Sequence, residues 1–355
     1  MKKYAKIVLI VLIVFVLLLA AISILPYFYY DKRPVIDHLL TQQANMNYDW
    51  QCQKIKSKSL NASKSVKWSR YHCIGKYPRY YLFHIGRKMR PLTINIINAN
   101  LDDKHIQLTP VLAAKTRPMR SLYTETIPSM AKSHPNYIAG INGGYFFTNR
   151  MNHPDQNCSG RTYPEKTVQH IGDGLLVINR HTFSENCYLK YFPTKKRIAI
   201  VENKKHQWAI KNVGMHITPH NTLNALGAGP ALVRTVNGKA KIDIQWQGIL
   251  SSFEFAANTA AILAKDAKGH QHIIFFTVDG VDKQSGINAV EMSNFIVKKL
   301  PSLLHLKIIS AMSMDQGHST TMYVRGEGKQ GVVSAASKHR DSRAVYDGLF
   351  LAYKH

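Results

Sequence analysis

The chain has 355 residues, 45% hydrophobic and 10% aromatic, ample for a packed core and more than an unfolded chain carries. Lys and Arg number 47 against 21 Asp and Glu, a formal charge of +26 with a pI near 9.9, so the surface attracts anions without saying which. Length alone suggests two domains, or one large domain with additions.

The first element narrows the choice of anion. "MKKYAKIVLIVLIVFVLLLAAISILPYFYY" places Lys2, Lys3 and Lys6 before an apolar run from Ile7 to Leu25, broken only by Ser23. Roughly 20 such residues at about 1.5 Å each cross the hydrocarbon layer, whereas a signal-peptide core is about 7–15 residues long. Tyr27, Phe28, Tyr29 and Tyr30 make an aromatic belt at the far interface. The leading lysines favour a cytoplasmic N-terminus, with Lys32 and Arg33 weakening that bias. Residues 1–30 therefore read as an uncleaved signal anchor, a single membrane pass with everything after residue 31 outside the cytoplasm; a cleaved signal is the alternative. Such a protein meets anionic lipid heads, lipopolysaccharide, teichoic acids or other phosphate-bearing glycans, and chromosomal DNA is out of reach.

Residues 31–80 are polar and basic, as in "CQKIKSKSLNASKSVKWSRYHC", and read as a stalk or a small disulfide-pinned segment. The four cysteines, Cys52, Cys73, Cys158 and Cys187, form an even set in an exported chain and imply two disulfides. Three pairings exist; Cys52–Cys73 with Cys158–Cys187 is preferred because each closes a modest loop. No CxxC pair is present, which argues against a thiolate metal site.

Residues 81–355 have the texture of a folded domain. "LTINIINANL" and "KHIQLTPVLA" alternate at the strand period. "SLYTETIPSMAKSH" fits a short helix, and "NYIAGINGGYFF" a buried strand running into paired glycines. "GDGLLVINR", "RIAIVE" and "ALVRTVNGK" are further strands, the last ending in an Asn237–Gly238 turn. "QHIIFFTVDG" is nearly all apolar, as a strand covered on both faces should be. "SGINAVEMSNFIVKKL" reads as a helix capped by Ser285, with Lys298 and Lys299 near its negative end. "LKIISAMSMDQG" and "AVYDGLFLAY" are the closing strands. The pattern indicates a mixed α/β (α+β) domain of about 270 residues, a multi-stranded mixed sheet with flanking helices.

Three buried strands end in small, polar or acidic residues: Asn142-Gly143-Gly144, Asp279-Gly280 and Asp315-Gln316-Gly317. Strand ends are where ligands sit in such sheets, and glycines there let backbone approach a ligand. The ordered set "INGGYF" (141–146), "ALGAGPALVRTVNG" (225–238), "FFTVDGVDKQSGINAVEMSNFI" (275–296), "MDQGHSTTMYV" (314–324) and "SRAVYDGLFL" (342–351) resembles the phosphodiester glycosidase domain family across roughly residues 90–353. Where the family has glycines this chain has Gln316 and His318, and an Arg-Thr pair common in the family appears as Asn258-Thr259. If that arginine holds phosphate, Arg343 or Arg234 is the replacement.

The resemblance implies hydrolysis of a sugar-1-phosphodiester, N-acetylglucosamine-linked or otherwise, in an extracytoplasmic glycan. Asp279 and Asp315 are the expected catalytic carboxylates, with Glu291 either a third or a structural residue. Asn142, Gly143, Gly144, Gly229, Gly280, Gly317, Ser319, Thr320 and Arg343 are the expected substrate contacts. No cofactor is implied. His318 reads as a turn residue. His216 and His220 imitate a metal pair, but Pro219 breaks the helix that would align them. A non-catalytic glycan binder would keep the fold and basic face without needing the carboxylates, and a metal-dependent phosphodiesterase would need a tighter His/Asp cluster.

Overall fold

The computed structural model describes residues 38, 41–46, 48–61, 64–76, 91–114, 116–117, 122–146, 174–184, 197–214, 221–245, 255–280, 286–336 and 342–354. The expected anchor at 1–30, Cys158, Cys187, His216 and His220 lie outside these residues. Among the described residues no helix is long and apolar enough to cross a membrane.

In chain order the strands are β1 (Asp49–Ser59), β2 (Val66–Lys76), β3 (Leu92–Asn100), β4 (Ile106–Leu112), β5 (Thr116–Arg117) and β6 (Leu122–Tyr123). Helix α1 (Ile127–Lys132) precedes β7 (Tyr137–Asn142), β8 (Leu176–Ile178), β9 (His181–Ser184), β10 (Arg197–Asn203) and β11 (Trp208–Val213). Next come β12 (Thr222–Ala228), β13 (Ala231–Val236), β14 (Lys239–Gln245), β15 (Asn258–Lys265) and β16 (Gln271–Val278). Helices α2 (Ala289–Lys298) and α3 (Leu300–Leu304) lead to β17 (Lys307–Ser313), β18 (Thr321–Val324), β19 (Val332–Ala335) and β20 (Asp347–Tyr353).

The strands form an eight-stranded sheet in the order β1-β2-β3-β16-β15-β17-β13-β14 and two five-stranded sheets, β11-β10-β12-β8-β9 and β19-β18-β7-β20-β4, with β5-β6 as a ribbon. Every pair is antiparallel. The expectation of a mixed sheet is corrected on this point: the fold is mostly β, α+β in class, and its ladders are antiparallel. The continuous apolar runs that suggest parallel strands have another cause. β15 and β16 are covered on both faces, with α2 side chains on one side and the smaller sheets on the other. Ile262, Ile274 and Phe276 pack with Val290, Met292 and Phe295 in one core, whereas Leu263, Ile273 and Phe275 pack with Ile141, Leu226 and Leu349 in a second. A third core lies between α1 and the β7–β20 sheet around Ile127, Tyr323 and Phe350.

The boundary expected near residue 80 does not divide the sheet. β2 pairs with β3 from Val66↔Ala99 to Cys73↔Leu92, so the described hairpin of this basic stretch is an edge of the main sheet. Cys52 and Cys73 occupy directly paired positions of β1 and β2 and are disulfide-bonded, with Cα atoms 4.2 Å apart. The chain ahead of the hairpin is stitched to α2. The buried Asn294 side chain donates to Ala44 O (2.6 Å) and Met46 O (2.9 Å) and accepts from Trp50 Nε1 (2.9 Å). Helix α2 is capped by Asn288, whose side chain accepts from the Glu291 N–H at 2.9 Å, and not by Ser285, which lies outside the described residues. Lys298 and Lys299 stand at its C-terminal end, as the dipole favours.

Candidate active site

β15, β16 and β17 leave the main sheet at a common end. Asn258 is level with Val278 and Ala260 with Ser313, so Asp279 and Asp315 emerge on either side of β15. Two strand spacings put their backbones about 10 Å apart.

Asp315 heads a short loop that closes as a single 3-10 turn over Gly317–Ser319. Its N–H donates to Gly143 O (3.0 Å), and Gly317, at φ +65°, donates to Ala257 O (2.8 Å). The fully buried Asn142 fixes this loop rather than facing solvent. Its Nδ2 donates to Asp315 O (2.7 Å), while its Oδ1 accepts from Thr259 Oγ1 (2.8 Å) and from the Thr321 N–H (3.1 Å). Asn142, expected as a substrate contact, thus ties three strand ends together.

Gly143 and Gly144 have a second reason for being glycine. A Cβ on Gly143 would overlap Asp347 Oδ1, and one on Gly144 would overlap Gly227 O. Asp347, at the start of β20, is buried and accepts the Gly144 N–H at 2.7 Å. Burial pushes its carboxyl up to about 7, the Gly144 bond opposing and the nearby Asp315 charge adding to the rise. Asp315 is pushed up to about 6 by desolvation, with the Ser319 hydroxyl, the Arg343 guanidinium and the Gln316 N–H each holding it lower. Both carboxyls lie at this rim, and Asp347 feels the charge of Asp315. Asp347 is the residue that sequence reasoning missed. Its signal is an Asp-Gly step at the start of an apolar strand, the same dipeptide that follows the end of β16 at Asp279-Gly280.

Arg343 is exposed, donates to Ser319 Oγ at 3.5 Å and lies 5.1 Å from the Phe146 ring centroid. It is the cation beside Asp315; Arg234 is instead paired with Asp243 at 2.5 Å on β13–β14. Thr320 Oγ1 is fully buried with no hydrogen-bond partner among the described residues. His318 is exposed on the turn. Gly229 donates to Ser313 O (2.9 Å) and accepts from the Tyr145 hydroxyl (2.7 Å), joining the β12–β13 corner to this rim. Asn258, in the place of the family's arginine, donates to Ile287 O at 2.6 Å and steadies the start of the α2 segment.

Asp279 is half-buried. Its N–H donates to Thr93 O (3.0 Å), and its Oδ1 accepts from the Ser334 hydroxyl of β19. Gly280 is buried, and a Cβ there would press on the Ala257 backbone. Glu291 is fully buried in the first turn of α2, in the helix layer. Among the described residues no group of three or more His, Cys, Asp or Glu is arranged to hold a metal ion.

Comparison with solved structures agrees with the architecture. The catalytic domain of zebrafish N-acetylglucosamine-1-phosphodiester alpha-N-acetylglucosaminidase, auto-inhibited by its pro-peptide, superposes with a TM-score of 0.54 at 15% identity, covering 87% of this chain and 89% of that one. A Burkholderia pseudomallei K96243 protein gives 0.54 at 11% identity, covering 86% of this chain and 97% of that one. A Synechocystis hypothetical protein gives 0.50 at 13% identity, covering 86% and 68%. At these identities the likeness is one of fold. No curated protein matches the chain by sequence. The sequence model for phosphodiester glycosidase matches residues 135–352, more than half of the chain, and the chain belongs to that family.

Proposed function

We propose that the protein hydrolyses a sugar-1-phosphodiester in an extracytoplasmic, phosphate-bearing glycan, held to the membrane by the apolar run at 7–25. The observation that carries the reading is the half-buried Asp315 and the buried Asp347 beside Arg343, reached by strand ends from separate sheets. Desolvation lets both carboxyls retain a proton toward neutral pH. Asp315, the more open member, donates it to the departing phosphate oxygen as the anomeric C–O bond breaks. Arg343 clamps the phosphate, and Asp279 takes a proton from the water that attacks the anomeric carbon. The products are the free sugar and a phosphate monoester. Backbones two strand spacings apart leave room for the water-mediated, inverting route. Thr320 supplies a hydroxyl for the sugar or phosphate. The Cys52–Cys73 bond supports an oxidising compartment.

A synthetic methyl diester of N-acetylglucosamine 1-phosphate tests the reading. Asp315→Asn and Asp279→Asn should each lower kcat about a thousandfold with the fold intact. Arg343→Gln should act mainly on kcat/KM, and the first sugar released should carry the inverted anomeric configuration by NMR. Wild-type protein that binds phosphorylated glycans without turning any over would replace the enzyme with a binding protein.

A further inference from the structure

We propose that Arg70, on the N-terminal hairpin, is a positioning residue for Asp279, acting through a bulge in β19. The hairpin lies outside the 135–352 stretch that carries the family match. The inference rests on the catalytic assignment of Asp279 above.

Met322 faces Ser334 and Tyr323 faces Val332 across the β18–β19 ladder, so Val333 is the extra, bulged residue. A bulge leaves a residue unpaired and re-aims its neighbours, and bulges collect beside active sites. Here the neighbour is Ser334, whose hydroxyl donates to Asp279 Oδ1. Val333 O is taken up by Arg70, whose Nη2 donates to it at 2.6 Å. Arg70 is itself held on both sides: its Nε donates to Asn95 Oδ1 at 2.9 Å, and its guanidinium lies 5.4 Å from the buried Trp68 ring centroid. A second contact fixes the same hairpin pair. Glu327, in the turn between β18 and β19, binds Lys56 (2.7 Å) and Lys58 (2.8 Å) of β1. Those two lysines hold its carboxyl below the usual range. The edge hairpin of one sheet therefore grips the edge hairpin of another at two points, and the inner point sets the Ser334 donor that Asp279 receives.

The tests are Arg70→Lys and Ser334→Ala, singly and together, in the full chain with the synthetic diester. Lysine keeps the charge and the cover over Trp68 but lacks the planar fork that reaches Asn95 and Val333 together. Each single change should lower kcat about tenfold, with KM little altered. The double variant should lose no more than the worse single one, because both act through one bond. The acidic limb of the kcat profile should move to higher pH in both singles, since a carboxylate that loses a donor is more easily protonated. Additive losses with an unmoved acidic limb would reduce Arg70 to a structural residue and overturn the inference, leaving the activity reading in place if Asp279→Asn is inactive. An active Asp279→Asn would remove the assignment of Asp279 and this inference together.

Discussion

Asp347 is buried against the Gly143–Gly144 backbone, within reach of the Asp315 charge. Because burial raises both Asp347 and Asp315 above their unfolded values, the folded state binds more protons than the unfolded chain between about pH 4 and pH 7. The sign follows directly: stability should fall as pH rises through that window. The melting temperature should accordingly be higher at pH 5 than at pH 8. Asp347→Asn, which cannot ionise, should flatten that dependence while leaving kcat reduced, and thermal melts across pH measure it. The sequence made Asp315 legible because it sits in a polar cluster between two apolar strands. It hid the work of Asn142, since an amide at a strand end looks the same whether it meets a ligand or a neighbouring carbonyl. Asp347 reads as part of a closing strand, because nothing local to "YDGLF" reveals that a pair of glycines two hundred residues earlier makes room for it.

At the scale of elements, the hairpin of β1 and β2 is where local pattern misleads most. β1 is exposed along nearly its whole length, so its alternation carries little hydrophobic signal and its lysines look like solvated chain. What makes it a strand is pairing with β2, and the cysteine pair pins that pairing at one register position. The two cysteines are 21 residues apart in sequence, so replacing both with alanine should cost about 2–4 kcal/mol of stability. Chemical denaturation measures the loss. If the hairpin carries Arg70 into the site as proposed, turnover should drop in step with the loosened edge. By contrast β7, β16, β17 and β20 were legible as strands because burial on both faces leaves long apolar runs. Their antiparallel pairing was not legible, since a strand covered by a helix and a second sheet has the same composition as a parallel one.

Acidic residues are few in the chain, and among the described residues several are committed. Asp102 and Asp103 accept backbone N–H groups, Asp243 pairs with Arg234, Asp266 with His270, and Glu327 with two lysines. The excess of Lys and Arg therefore faces solvent with little local neutralisation, a field that draws polyanions. KM for a phosphate-rich polymer should rise steeply between low salt and about 0.5 M, where screening shortens the reach of surface charge to a few ångströms. A small neutral-capped diester should show a weaker dependence, and steady-state assays on both substrates decide the point.

The stitch that Asn294 makes to Ala44 and Met46 sets a leash. If, as proposed, the apolar run at 7–25 lies in a bilayer with Tyr30 at its surface, residues 31–43 separate the lipid surface from chain already bolted to α2. A chain of that length reaches at most about 40 Å. On the proposed anchoring, the proposed catalytic rim would be confined to a shallow layer above its own membrane, and distant polymer would have to come to it. Its natural territory would be chains rooted in, or newly emerging from, that same bilayer.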